Sequence, residues 1–298
     1  MPPPIPHVGE ILSFLCAIIW AVAVILFKKS GEKITPLGLN LYKNVLGLAL
    51  FVLTSLVLGI TLTPKVTSHD QTTVLISGLL GLAVSDTFLF KTLNLLGAEL
   101  TSIVSCFNSP FIIGLSVLFL GETMHGYQFL GAAFIVLAVV VVSKKEGRKN
   151  ISRPNLFRGI LFGFLYLISG AFGVVLFKPL LDHTSFLWVI EMRLLAGCLG
   201  TGAFLLLLPQ REKIITSLLS VGNWSYMLPA SFLGAYLSMA IWMGGMKYTQ
   251  ASIASALNQT SNVFVFLLAV LLLKEPVNRI RVMAIILAFA GALLVTFG

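Results

Sequence analysis

Charge is what this sequence has least of. Only 10% of its 298 residues are Asp, Glu, Lys or Arg, whereas a soluble globular domain carries roughly 25%. The 57% hydrophobic share is more than a water-soluble core can hide, so an ordinary soluble domain is excluded and the apolar surface must face lipid or other helices. The net charge of +9 does not mark a nucleic-acid binder, because the basic residues stand at the ends of apolar runs rather than on a polar face or among aromatics. No Gly-rich phosphate loop ending in Lys-Ser/Thr occurs, which excludes direct use of ATP. His7, His69, His125 and His183 are scattered through tails and links, with no HExxH or paired-cysteine spacing, so no metal and no cofactor is expected. No nucleophile, metal or paired-carboxylate constellation stands out, and an enzyme is not expected. Cys16, Cys106 and Cys198 all fall inside apolar runs, where a thiol behaves as a small apolar residue and carries no redox message. Met1 to Pro6 contains no Lys or Arg, and the apolar run that follows leads through a short link into another, so a cleaved signal peptide is not expected.

Long apolar runs are what the sequence has in their place. A bilayer core about 30 Å thick takes roughly 20 helical residues to cross. Ten segments qualify, approximately 9–27, 36–58, 72–92, 98–120, 126–142, 156–177, 185–208, 224–246, 251–273 and 280–297. The third is interrupted by Asp86 and Lys91, and the fifth is short but unbroken by charge from Phe129 to Val142. The expected fold class is therefore all-α and membrane-embedded, with ten transmembrane helices and the lipid bilayer as solvent.

One connector has linker character: residues 143–155, SKKEGRKNISRPN, polar, rich in Lys and Arg and ending near a proline. It divides the chain into 1–142 and 156–298. The two parts align without gaps from Gly9–Lys28 onto Gly159–Lys178, with nine of the twenty positions identical. Shared apolar composition inflates such a score, so the polar matches weigh more: Lys28 with Lys178, and Lys43 with Arg193, both 150 residues apart. After a three-residue shift the register continues, matching Gly81 with Gly234, Ser85 with Ser238, Ser102 with Ser255 and Glu122 with Glu275. Five spans per part is an odd number, so the second part starts on the opposite face of the membrane and the repeats are inverted. Inverted repeats are a frequent plan in secondary transporters, because exchanging the conformations of equivalent halves exchanges inward and outward openings.

The stretch GLAVSDTFLFKTLNLLGAELTSIVS from Gly81, the fourth-span ending NSPFIIGLSVLFLGE from Asn108 with its second copy SNVFVFLLAVLLLKE from Ser261, the paired Lys43 and Arg193, and the small-residue pattern at Gly131 and Gly291 together resemble the EamA branch of the drug/metabolite transporter superfamily. The second copy departs from the first at Val263, opposite Pro110, and at Lys274, opposite Gly121. The resemblance implies two tandem five-helix units in a multi-pass protein of the cell (plasma) membrane. It further implies secondary active transport of a small polar metabolite, such as an amino acid or related compound, in export or import. A flippase for a lipid-linked substrate and a non-transporting structural membrane protein are the rival readings. Expected partners are a small-molecule substrate, protons as a candidate coupling ion, and a second copy as a candidate homodimer; nucleic acid is not among them.

Within the spans, polar residues are the candidates for substrate binding or coupling. Asp86 lies mid-span, where an ionised carboxylate costs about 3 kcal/mol unless paired or hydrated; it is read as a coupling or substrate-amine group, or as one end of a structural pair with Lys43 or Lys91. Lys91 is five residues on, about 140° around a helix, and a poor same-helix partner. Lys43 and Arg193 lie at matched depth and either face a common cavity, offering positive charge to an anionic or zwitterionic substrate, or snorkel to the interface. Glu191, two residues from Arg193, falls on another helix face and needs its own partner. Asn108, Asn258, Gln259 and Asn262 either line a cavity or join helices by hydrogen bonds. Pro110 is a candidate helix break that frees the carbonyl of Cys106. Trp20 and Tyr42 are candidate aromatic walls beside Tyr166, Tyr236 and Trp242, or ordinary packing and interface residues. Basic residues crowd one set of links, including Lys28, Lys29, Lys33, the linker, Arg211 and Lys213, against Lys65, Lys178 and Lys247 on the other. The positive-inside rule puts that crowded side in the cytoplasm and both termini outside it. The resemblance implies cytoplasmic termini, and the size of the charge bias in short links decides for the outside.

Overall fold

Every regular element is a helix among the residues that the computed structural model describes, 6–62, 64–105, 107–143, 152–219, 224–273 and 279–297. Most of the linker, Cys106, Asn150, Asn223, Lys274 and Glu275 lie outside the described residues. The chain opens with α1 (Val8–Gly31) and turns at Thr35 into α2 (Pro36–Val57). Thr35 is extended and its hydroxyl accepts from the Gly38 N–H at 3.3 Å, while Pro36 opens the helix where its missing N–H costs nothing. The third segment runs through α3 (Ser68–Gly78), a π-helical stretch at Leu79–Ser85 and α4 (Asp86–Ser105). Inside α4 the backbone of Gly97 turns to φ 76, ψ 175, a conformation open to glycine for want of a Cβ. The third and fourth expected spans are thus joined at one residue. Then follow α5 (Asn108–Leu120) and α6 (Gly126–Ser143).

The second half begins three residues before its expected start, with α7 (Arg153–Phe177), because the chain is extended at Ser152 and Pro154 suits the first turn of a helix. After α8 (Leu180–His183) come α9 (Phe186–Leu207) and α10 (Arg211–Leu219). The sequence reading leaves α10 as a link; Ile214 buries itself there beside Leu37 and Leu205. Next are α11 (Trp224–Ser231), a π-helical stretch at Phe232–Leu237, α12 (Ser238–Tyr248), α13 (Ala251–Asn258), α14 (Thr260–Leu273) and α15 (Arg279–Phe297). The two π-helical stretches begin 153 residues apart, in the register that matches Ser85 with Ser238.

Among the described residues, six helical stretches are long and apolar enough to cross a membrane: Val8–Gly31, Pro36–Val57, Ser68–Gly97, Arg153–His183, Phe186–Leu207 and Trp224–Tyr248. Asn108–Leu120 and Gly126–Ala138 are apolar but shorter. This is a coarser result than ten spans, in part because the fourth and ninth expected spans each pass through a tightened turn, at Phe107 and at Gln259. Large apolar side chains such as Leu207, 81% exposed, and Val57, 77% exposed, cover the outside, as lipid-facing surface does.

The halves pack on one another rather than side by side. Helix α6 lies along α15, where a methyl group on Gly131 would stand 2.6 Å from the Gly291 carbonyl oxygen and the reverse substitution would meet Gly131 O at 2.6 Å. Helix α7 seats Gly159 and Gly163 against Leu96 and Val104 of α4, the small-residue contact expected of that glycine pair. Helix α1 runs against α12, and α2 against α9. The core, which includes Phe51, Phe177, Trp188 and Met243, therefore lies between the halves.

Candidate functional site

Among the described residues, two tightened helix turns, at Phe107 and Gln259, and two π-helical stretches meet around a cavity of about 230 Å³. Each π turn is wider than an α turn and leaves carbonyls without their usual i+4 donors. In the first half Asn40 of α2 supplies donors: its Nδ2 reaches Leu82 O at 2.7 Å, Ala83 O at 3.2 Å and Thr87 Oγ1 at 3.0 Å. Asn44 Nδ2 steadies Asn40 through Oδ1 at 3.2 Å. The extra residue in the turn sets the rotation of the helix that follows, which begins with Asp86.

Asp86 points at α2, where its Oδ2 accepts from Lys43 Nζ at 2.6 Å. Both line the cavity, as does Arg193 of α9. Lys43 and Arg193 are buried, 3% and 4% exposed, which rules out snorkelling to the interface in this structure. Lys91 lies over the rings of Phe88 and Phe162, with Nζ 5.5 Å and 5.1 Å from their centroids, and makes no pair with Asp86. Asn108, Asn258, Asn262 and Trp20 also line the cavity. Of the alternatives left open by sequence, the amides both line the space and join helices: Asn262 Nδ2 donates to Gln259 Oε1 at 2.7 Å, and Gln259 Nε2 donates to Ser105 O at 2.7 Å. Gln259 thus ties the tightened turn of one half to the last turn before the tightened turn of the other. The hydroxyl of Tyr166 bonds that of Ser105, and Ser85 Oγ donates to Tyr166 O at 2.8 Å, closing the wall formed by α7.

Four expected residues stand elsewhere, among them Tyr236, whose hydroxyl shares a 2.7 Å hydrogen bond with that of Thr54. Tyr42 is one position, about 100°, from Lys43 and turns to Trp224, with ring centroids 6.3 Å apart; it lines no part of the cavity. Glu191, about 200° from Arg193, is buried against α2 and accepts from Ser55 Oγ at 2.6 Å, an interhelical tie outside the cavity lining. Pro110 is the third residue of α5, where a missing N–H belongs to the open first turn. It therefore follows the tightened turn instead of kinking a helix interior, and Cys106, whose carbonyl it was expected to free, lies outside the described residues.

Sequence reasoning missed Asn40 and Asn44 and saw Glu122 only as a repeat match. The spacing Asn40, Lys43, Asn44 is i, i+3, i+4, one face of α2, and that signal was available. Glu122, just past α5, accepts from Ala251 N at 2.7 Å, Ser252 N at 2.9 Å and Ser252 Oγ at 2.6 Å. A carboxylate from the first half thereby caps the start of α13 in the second and meets its positive dipole end. Nearby, Thr249 Oγ1 donates to Glu10 Oε1 at 2.8 Å. Both contacts close the halves on the side of the membrane where α1 begins, beyond the part of α1, Cys16 to Phe27, that lines the cavity.

Apolar helices of spanning length, packed around a charged cavity between two halves, define a helical membrane protein with an internal polar site. The chain belongs to the EamA-like transporter family, which matches it twice, over residues 7–144 and 157–297, and it is an integral, multi-pass membrane protein of the transporter kind. An uncharacterized transporter of Bacillus subtilis (strain 168), YetK, is 25% identical over 237 residues, 76% of this chain and 68% of that protein. A protein of known crystal structure shares the fold with a TM-score of 0.77 at 19% identity, covering 97% of this chain and 98% of the other. The names of the family and of the Bacillus relative point to a transporter rather than an enzyme.

Proposed function

We propose that the chain is a secondary active transporter of the cell membrane that carries a small polar metabolite, an amino acid or related compound, by alternating access. In this reading ten spans form two inverted five-helix repeats, 1–142 and 156–298, and the cavity between them is the substrate site. The observation that carries it is the meeting of two tightened helix turns at a charged cavity, one at Phe107 and one at Gln259, where the backbone N–H bonds three residues back, with Lys43, Asp86 and Arg193 around them. Irregular helix turns at a repeat interface are where transporters place substrate and coupling groups. The double family match and the π-helical stretches at matched positions support the repeat.

Asp86 is the coupling group in this scheme. Protonation releases Lys43, and re-pairing restores the neutral state, so proton binding is linked to a change at the cavity wall. Glu122 holds the side where α1 begins shut and has to release α13 when that side opens. The test is counterflow in proteoliposomes with pooled labelled metabolites, followed by deconvolution. Exchange of one pool above empty vesicles is the expected result, and no exchange of any pool by folded protein contradicts the reading.

A further inference from the structure

Lys43 and Arg193 occupy matched positions, yet their surroundings differ. Lys43 has its own carboxylate at 2.6 Å. The residue matched to Asp86, 153 positions on, is Met239, which also lines the cavity. No carboxylate lies within ion-pair distance of Arg193 among the described residues. The guanidinium lies over the Phe177 ring, with its carbon 3.9 Å from the centroid. Among the described residues its Nη1 reaches only the Met243 sulfur, at 3.7 Å, and Nε has no hydrogen-bond partner. Gly81 makes room for it: a methyl group there would come within 2.9 Å of Nη2.

A guanidinium carries five N–H donors in a flat fork and stays charged. Buried without an anion, it is an open demand for one. Asp86 shares the cavity with Arg193 but is held by Lys43, so the three groups together leave one positive charge uncompensated. We propose that Arg193 is the anion subsite of the cavity and that the substrate is recognised through a single monoanionic group, the carboxylate of a small organic acid, without need of an ammonium. This rests on the transport reading and narrows it. The fork matches the two oxygens of a carboxylate, while Asn108, Asn258 and Asn262 hydrogen-bond the rest of the molecule and Trp20 and Trp242 cover its apolar part. An ammonium gains Asp86 only by displacing Lys43, which then stays buried and unpaired. Amino acids accordingly bind no better than the oxo and hydroxy acids of the same skeleton.

The test uses the full chain in nanodiscs at neutral pH, with binding read from tryptophan fluorescence, since Trp20 and Trp242 line the cavity. For each of several skeletons the panel holds the amino acid, oxo acid, hydroxy acid, sulfonate, phosphate monoester, primary amide and amine. The acids and the sulfonate are expected to bind alike, and the amide and amine at least about tenfold more weakly. Arg193→Gln is expected to erase the preference of acid over amide, and Arg193→Lys to restore part of it. Should Arg193→Gln fail to fold, the acid, amide and amine series on the unaltered protein decides. The inference is overturned by an amide or amine that binds as tightly as the acid, by an amino acid at least about tenfold tighter than its oxo acid, by a phosphate dianion preferred to the carboxylate, or by folded Arg193→Gln with an unchanged acid-to-amide ratio. Counterflow of neutral or cationic solutes alone overturns this inference and leaves transport standing, whereas absence of counterflow for every pool removes both.

Discussion

Replacing Asp86 by Asn keeps the shape of the side chain and strands two cations in one cavity. Lys43 is buried and Asp86 part-buried, with 3% and 16% of their side chains exposed, so removing the carboxylate is expected to cost about 3 kcal/mol, the lower end of the range for a buried pair. Arg193 adds to the loss, since Asp86 is the acid that shares its cavity. Lys43→Met is milder, because the remaining Asp86 and Arg193 still sum to zero; it is expected to cost about 1–3 kcal/mol, as for a polar group left without its partner. The double variant leaves Arg193 as it stands and no ion in the pair's place, so the two losses fall short of adding by about 2 kcal/mol. The assay is unfolding of purified protein in mixed micelles by titration with dodecyl sulfate, followed by tryptophan fluorescence. In vesicles, Asp86→Asn is also expected to abolish proton-driven accumulation while sparing exchange. Equal losses for the two single variants, adding fully in the double, would refute the claim that this pair balances charge in the cavity.

Glu122→Ala removes three acceptor contacts at the start of α13 and is expected to cost about 1–2 kcal/mol, with faster amide exchange at Ala251 and Ser252; unchanged exchange refutes the cap. Gly131→Leu drives a side chain into the Gly291 backbone and is expected to destabilise by about 1–3 kcal/mol, read as an earlier unfolding midpoint. A reporter active only in the cytoplasm, fused after Gly298, is expected to stay silent because the basic links mark the opposite side; strong activity reverses the orientation.

Much of the cavity was legible because charge inside an apolar run is expensive and therefore conspicuous. Lys43, Asp86 and Arg193 stood out for that reason, and all three line the cavity. Lys43 and Lys91 both stood as partners for Asp86, and the helix angle counted against Lys91, which points away. Angles also explain Tyr42 and Glu191: depth is readable from position along a span, but facing depends on the neighbouring helices, and Ser55 and Trp224 became their partners. The π-helical stretches were not legible. An added residue in a turn leaves no mark in an apolar pattern such as LLGLAVS, yet it sets the facing of Asp86. The joint at Gly97 was readable only as a gap between two spans, because glycine permits a positive φ without demanding it. Asn40 and Asn44 carried a readable spacing, but their purpose exists only once the π turn is known.

The alternating-access claim is tested most directly at Ser261, which is buried, lines the cavity and differs from cysteine by one atom. With Cys16, Cys106 and Cys198 replaced by alanine, Ser261→Cys is exposed in sealed vesicles to a small membrane-impermeant thiol reagent, first on one face and then on the other. The account predicts labelling from both faces, slowed on each by a transported solute. Labelling confined to one face under every condition, with no protection by any solute that exchanges, would contradict it.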